Sequence, residues 1–446
     1  MSTIQSQAPH PKKKIILALD GTWQDGTTQK DRQLATNIWK LARAIHRRDE
    51  NGIHQVVYYQ SGVGSTDESW GQWVSNQMES IVGGATGLGL AKKVKEAYMF
   101  LSRNWEPGDE IYIFGFSRGA YTARTVAGLI GDIGVLRKED MESWWQIYEN
   151  YQQSGTTKGK KEADEFLEPW RKKREEWERT NVGKFTIKVL GVFDTVGALG
   201  IPGFYPKQIN FFGFNDLTLG KHVENAFHAM SLNENRHDFQ VSKWKFGPGS
   251  EPVDGQTVKQ VWFAGTHADI GGGWEESDLS IISLMWMADS VKDMLSLDEH
   301  FLLHDSRFSA HKPWGTYPPH DFFTGMRAAL SVLSSDSNCR ANSVTLGGSS
   351  IPGRAVELLH PSVFQQNFDD APHMWPKKMQ KDIGDALRVP AQVAELGKME
   401  KKLKEEGFAL ERIIHRKKKK DVPVYSDDIQ AMEMMNRIMS GEDDSE

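Results

Sequence analysis

An α/β fold with a mainly parallel sheet flanked by helices is predicted for this 446-residue chain. Three observations predict it. Short apolar runs alternate with helix-patterned segments, which is the signature of parallel strands with crossover helices. The runs are continuously apolar rather than alternating, as strands covered on both faces are. Asp20, Ser117, Asp194 and His267 each stand at or just beyond the end of such a run, and ligands of open α/β sheets bind at the carboxyl ends of strands.

Residues 1–13 read as a flexible polar tail. Ile15 to Leu19 is the first buried strand, closed by the turn signal Asp20-Gly21-Thr22. Thr36 or Asn37 caps a helix carrying Ile38, Leu41, Ala42 and Ile45 on one face. His54 to Tyr59 is the second strand. Gly83 to Gly89 is glycine-rich and precedes a helix with Ala91, Val94, Ala97, Tyr98 and Leu101. It lacks the lysine-plus-hydroxyl ending of a phosphate loop, so a hinge or a close-packed turn is preferred there.

Glu110 to Phe114 is a strand, and Arg118 to Ile130 a helix. Between them stands Gly115-Phe116-Ser117-Arg118-Gly119, which reads G-x-S-x-G. Strand, sharp turn and helix are the context in which this pattern presents a nucleophilic serine. Residues 138–180 change character and read as a helical insertion, with Trp144 and Trp145 as candidates for a lid over an apolar substrate. Phe185 to Phe193 and Val258 to Phe263 restore the strand pattern, and Leu279 to Met287 is a helix apolar on broad faces. The division expected is a catalytic domain over 14–300, a C-terminal part over 301–390 packed on it, and a charged helical tail over 391–446.

Composition narrows the class. The 39% hydrophobic content is enough for a core, and a net charge of −6 with pI about 6.2 disfavours nucleic acid as partner. Cys339 is the one cysteine, so no intrachain disulfide can form. The polar N-terminus lacks the apolar core of a signal peptide, and no apolar run reaches the ~18 residues of a membrane span. A soluble cytoplasmic protein is expected, with the basic run 416–420 open either to peripheral membrane contact or to nuclear import.

A serine hydroxyl needs a base to take its proton, and the base needs a carboxylate to fix its tautomer. Ser117, Asp194 and His267 occur in the chain order of α/β-hydrolases. His267 lies in a glycine-rich loop and is preferred as base over His228, which sits in an apolar stretch. Asp269 is the rival acid, though its more natural work is to hold its own loop. Asp20 is expected to brace the first loop. Backbone N–H groups of Arg118 and of Gly21-Thr22 are the expected oxyanion hole. No metal-binding spacing is present, so no metal and no cofactor are expected.

Four motifs occur together: Leu19-Asp20-Gly21-Thr22-Trp23, Gly115 to Ala120, Phe193-Asp194-Thr195-Val196-Gly197, and His267-Ala268-Asp269-Ile270-Gly271-Gly272-Gly273. With them the chain, over roughly residues 13–300, resembles the catalytic-domain family of type VI secretion phospholipase effectors. Glu357 to Val363 is similar to a further segment of that family. The resemblance implies an α/β-hydrolase-like fold, a triad on Ser117, Asp194 and His267, and carboxylic ester hydrolysis, with phospholipid as substrate in the bacterial effectors. Where family members often have a His-Ala run ending in Asp-Glu, this chain ends His228 to Glu234 in Asn233-Glu234. The expected substrate is a small-molecule or lipid ester. The alternatives are a non-lipid esterase or thioesterase, or an inactive hydrolase-fold binding protein.

Overall fold

The computed structural model describes residues 12–21, 35–62, 87–155, 159–180, 186–196, 219–236, 239–244, 252–309, 311–321, 357–370, 374–387 and 392–406. The stretches 63–86 and 407–446, with the glycine-rich loop up to Thr86 and the basic run, lie outside the described residues.

Seven strands of the described residues form one sheet: β1 Lys14–Leu19, β2 Gln55–Gln60, β3 Glu110–Phe116, β4 Ile187–Phe193, β5 Val223–Ser231, β6 Thr257–Phe263 and β7 Glu357–Leu359. Their order is β2-β1-β3-β4-β5-β6-β7, and every neighbouring pair is parallel. The strand order reverses direction beside β1 and β3, the place where an open sheet leaves a crevice above its carboxyl ends.

The helices are α1 Asn37–Ala44, α2 Gly87–Asn104, α3 Arg118–Ile133, α4 Trp144–Ser154, α5 Lys160–Thr180, α6 His267–Gly271, α7 Asp278–Val291, α8 Glu299–Ser309, α9 Lys377–Leu387 and α10 Lys398–Glu406. β1 shows why both sheet faces are covered. Successive side chains alternate between faces. Ile16 and Ala18 join Ile38 and Leu41 of α1 and Ile281 to Val291 of α7 in one core, while Ile15, Leu17 and Leu19 join α2, α3 and α4 in the other. An α/β sheet with helices on both faces, the predicted architecture, is what the chain forms.

Two polar devices fix this packing. Asn37, fully buried, donates from Nδ2 to the carbonyls of Ile270 and Ser280, both at 2.8 Å, and so ties α1 to α6 and α7. Asp289 of α7 accepts from the backbone N–H groups of Met399 and Glu400 at 3.1 and 2.9 Å, capping α10. Buried Met399 and Leu403 then join the α1–α7 core. Beside them His360 places Nε2 2.7 Å from Glu400 Oε1, which fastens α10 to the end of β7.

Candidate active site

Ser117 stands between β3 and α3 with φ 57° and ψ −122°, a conformation that costs a non-glycine residue about 1–3 kcal/mol. Its N–H donates to the Phe193 carbonyl at 3.1 Å, and its own carbonyl accepts from Tyr121 at 3.2 Å. The flanking glycines permit the turn. A Cβ on Gly115 would lie 2.6 Å from Ala120 Cα, and one on Gly119 would lie 2.2 Å from the Leu19 carbonyl oxygen. Both obstacles are backbone. The start of α3 can therefore rest against the end of β1 only without a side chain there. Gly119→Ala is expected to cost about 3 kcal/mol or more, because neither β1 nor α3 can yield cheaply. Urea unfolding of the purified variant measures it, and an unchanged midpoint would contradict the packing described.

Asp194 follows β4 and is fully buried, with φ 39°. The pairing of Phe116 with Phe193 places it level with Ser117. Its Oδ1 accepts from Ser231 N at 2.9 Å, and its Oδ2 lies 2.6 Å from His267 Nδ1. His267 opens α6. Its ring is covered by Phe116, centroids 4.7 Å apart, and by the edge of Phe239 at 4.9 Å. Burial pushes the imidazole below its ordinary pKa, against the opposing pull of the bonded Asp194. The ring is therefore neutral at pH 7, the form that can accept a proton. Asp194 and His267 thus pair at the carboxyl edge of β4 and β6, and Ser117 stands at the same edge at the end of the adjacent β3. No hydrogen bond between Ser117 and His267 is formed among the described residues.

The first loop abuts Ser117. A Cβ on Gly21 would lie 2.9 Å from Phe116 Cδ1 and 3.2 Å from Ser117 Cβ, so a side chain there would press on both. Asp20 holds this loop, accepting from Gly21 N at 2.7 Å, Thr36 Oγ1 at 2.6 Å and Tyr59 Oη at 2.8 Å. Thr22 lies outside the described residues. Burial lowers the Arg118 guanidinium to about 10, which still leaves it charged at neutral pH.

The rival residues are occupied elsewhere. Asp269 accepts from Thr266 N at 2.8 Å and stands 2.5 Å from His320 Nδ1, so it is committed to its own cap and to His320. His228, fully buried in β5, accepts from Thr195 N at 3.2 Å. Trp144 requires a correction. It is fully buried against Tyr98 and Tyr148, in the core beneath α2 and α3, and forms no lid surface. Tyr98 bonds the Gly134 carbonyl at 2.6 Å, so Trp144 packs at the far end of α3, roughly 20 Å along the helix from Ser117. Trp145 is 48% exposed, with Lys95 Nζ 4.9 Å from its ring. No cluster of three potential metal ligands exists among the described residues.

Sequence alone assigns no role to Glu234 and does not single out Arg236, Phe239 or His320. Glu234 and Phe239 follow β5 and touch His267, Arg236 links the two, and His320 reaches Asp269 from 51 positions away. His320 stacks on Trp274, with centroids 4.7 Å apart. Burial alone would lower its pKa, but the Asp269 and Glu276 carboxylates outweigh burial and raise it. A raised folded pKa stabilises fully below the unfolded value of about 6.5, and that stabilisation is lost as pH rises through the folded value. Thermal unfolding of wild type and His320→Gln between pH 5 and pH 9 is expected to show the wild-type advantage shrinking with rising pH. An advantage constant with pH would contradict it.

The sheet, its crossovers and this edge define an α/β protein of hydrolase-like architecture. Residues 13–290 match the family described as T6SS, phospholipase effector Tle1-like, catalytic domain, and the chain belongs to that family. It is similar to the uncharacterized protein YEL023C of Saccharomyces cerevisiae, 31% identical over 242 residues that make up 51% of this chain and 32% of the yeast protein. Two solved structures are also similar to it. One is an uncharacterized protein from Pseudomonas aeruginosa, at TM-score 0.36 and 19% identity over 64% of this chain and 47% of the other. The second is the Tle1 effector bound to the VgrG spike from the type 6 secretion system, at TM-score 0.29 and 21% identity over 59% and 51%. The chain thus spans about a third of the yeast relative and about half of each solved chain. No helix of the described residues is long and apolar enough to cross a membrane.

Proposed function

We propose that this chain is a serine hydrolase of carboxylic esters, with lipid and phospholipid esters as first substrates. The observation that carries the reading is the 2.6 Å approach of His267 Nδ1 to buried Asp194, beside a serine held at φ 57°. Ser117 Oγ attacks the ester carbonyl while His267 Nε2 takes its proton. Asp194 keeps the proton of His267 on Nδ1 and balances the imidazolium. Backbone N–H groups of Arg118 and of the Gly21 loop receive the oxyanion. His267 then protonates the departing alcohol, and water releases the acyl-enzyme by the same route. The lipid preference rests on membership of a family described by its phospholipase effectors.

A fluorophosphonate probe tests the chemistry. Wild type is expected to take one label, mapped by mass spectrometry to the peptide holding Ser117. Absence of label, or label on another serine, overturns the reading. Hydrolysis of phospholipid vesicles beside p-nitrophenyl esters of rising chain length tests the substrate class, and a preference for the shortest ester would favour the esterase alternative.

A further inference from the structure

Glu234 is 1% exposed, and its carboxylate accepts from at least four donors among the described residues. Oε2 accepts from the backbone N–H of His267 at 3.2 Å and from Arg236 Nη2 at 2.8 Å. Oε1 accepts from Arg236 N at 2.9 Å and Arg236 Nε at 2.8 Å. A buried carboxylate is costly unless paired and hydrogen-bonded, and this one is both. The Arg236 guanidinium lies 3.5 Å from the centroid of Phe239, whose edge packs on the His267 ring. One ion pair therefore touches His267 twice, at its backbone through Glu234 and at its ring through Arg236 and Phe239.

We propose that Glu234 and Arg236 are positioning residues for His267, a charge-compensated brace that fixes its main chain and its ring wall while adding no net charge beside it. The proposal rests on His267 being the base of the hydrolase. Charge compensation is the part a merely structural pair would not show. Arg236 alone opposes an imidazolium at His267, and Glu234 alone favours one. Other charged groups stand on the elements around the ring. Asp194 at the end of β4 bonds Nδ1 directly. Asp269, on α6 itself, is held by Thr266 and by His320, which also faces Glu276. Asp20 at the end of β1 bonds Thr36 and Tyr59, and Arg118 opens α3. None of these residues is substituted in the variants below, so the two halves of the brace can be read separately.

The test uses the full chain as wild type, Glu234→Gln, Arg236→Met, the double variant and Arg236→Lys. Two readouts are taken: the pH dependence of the fluorophosphonate labelling rate, and the NMR titration of the His267 ring, assigned with His267→Gln. Arg236→Met is expected to move the acid limb and the ring titration to higher pH, and Glu234→Gln to move both to lower pH. The double variant should titrate near wild type yet label about tenfold more slowly, since Phe239 loses the guanidinium that holds it against the ring. Arg236→Lys keeps the charge and should keep the limb, and it covers the case in which Arg236→Met does not fold. Single variants whose ring titrations move in the same direction, or not at all, overturn the proposal. Because the titration is read without activity, opposite movements in a protein that takes no label uphold the brace and overturn only the hydrolase reading.

Discussion

Ser117→Ala is expected to lower ester turnover by a factor on the order of 10⁶ while moving folding stability by no more than about 0.5 kcal/mol. The two halves have separate causes. Without the hydroxyl no acyl-enzyme can form, and what remains is water attack assisted by the oxyanion donors. Stability is spared because no hydrogen bond of the Ser117 hydroxyl occurs among the described residues, and alanine carries the same backbone penalty at φ 57°. A second variant separates strain from chemistry. Ser117→Gly lifts the steric penalty and is expected to be more stable than Ser117→Ala by about 1 kcal/mol, the relief partly offset by a more flexible unfolded chain. Initial rates on a long-chain ester and urea midpoints for the three proteins provide the comparison. Residual turnover above one hundredth of wild type would remove Ser117 from the mechanism.

How far the site was legible in the sequence depended on how local each signal was. β1 and β3 are continuous apolar runs, and the motif around Ser117 binds strand, turn and helix within a few residues. β5 was missed as a strand because its first half carries Glu224 and Asn225, so the apolar pattern begins only at Ala226. That omission also hid Glu234 and Arg236, which lie just past its end. Trp144 was misjudged from its acid and amide neighbours, although Trp144, Ile147 and Tyr148 recur at the spacing of a buried helix stripe. The Asp269–His320 contact had no local signal at all, since only folding brings residues 51 positions apart together.

Asp194→Asn separates a triad acid from a carboxylate that merely fills the end of β4. Asn can keep its oxygen on Ser231 N, where Asp194 Oδ1 accepts at 2.9 Å. Its amide nitrogen must then face His267 Nδ1, where a carboxylate oxygen stands at 2.6 Å in the native protein. An amide N–H there requires Nδ1 as an acceptor, which moves the ring proton to Nε2, the nitrogen that must be free to receive the proton of Ser117. Turnover is expected to fall by about 10⁴, with the imidazole in place but in the wrong tautomer. Folding should suffer little from the backbone, since asparagine tolerates a φ of 39° better than most residues. Rates measured beside thermal unfolding, with ring NMR reporting the tautomer, distinguish the two roles. If Asp194→Asn retains turnover within tenfold of wild type, His267 draws its orientation from elsewhere, and the Glu234–Arg236 brace becomes the leading source.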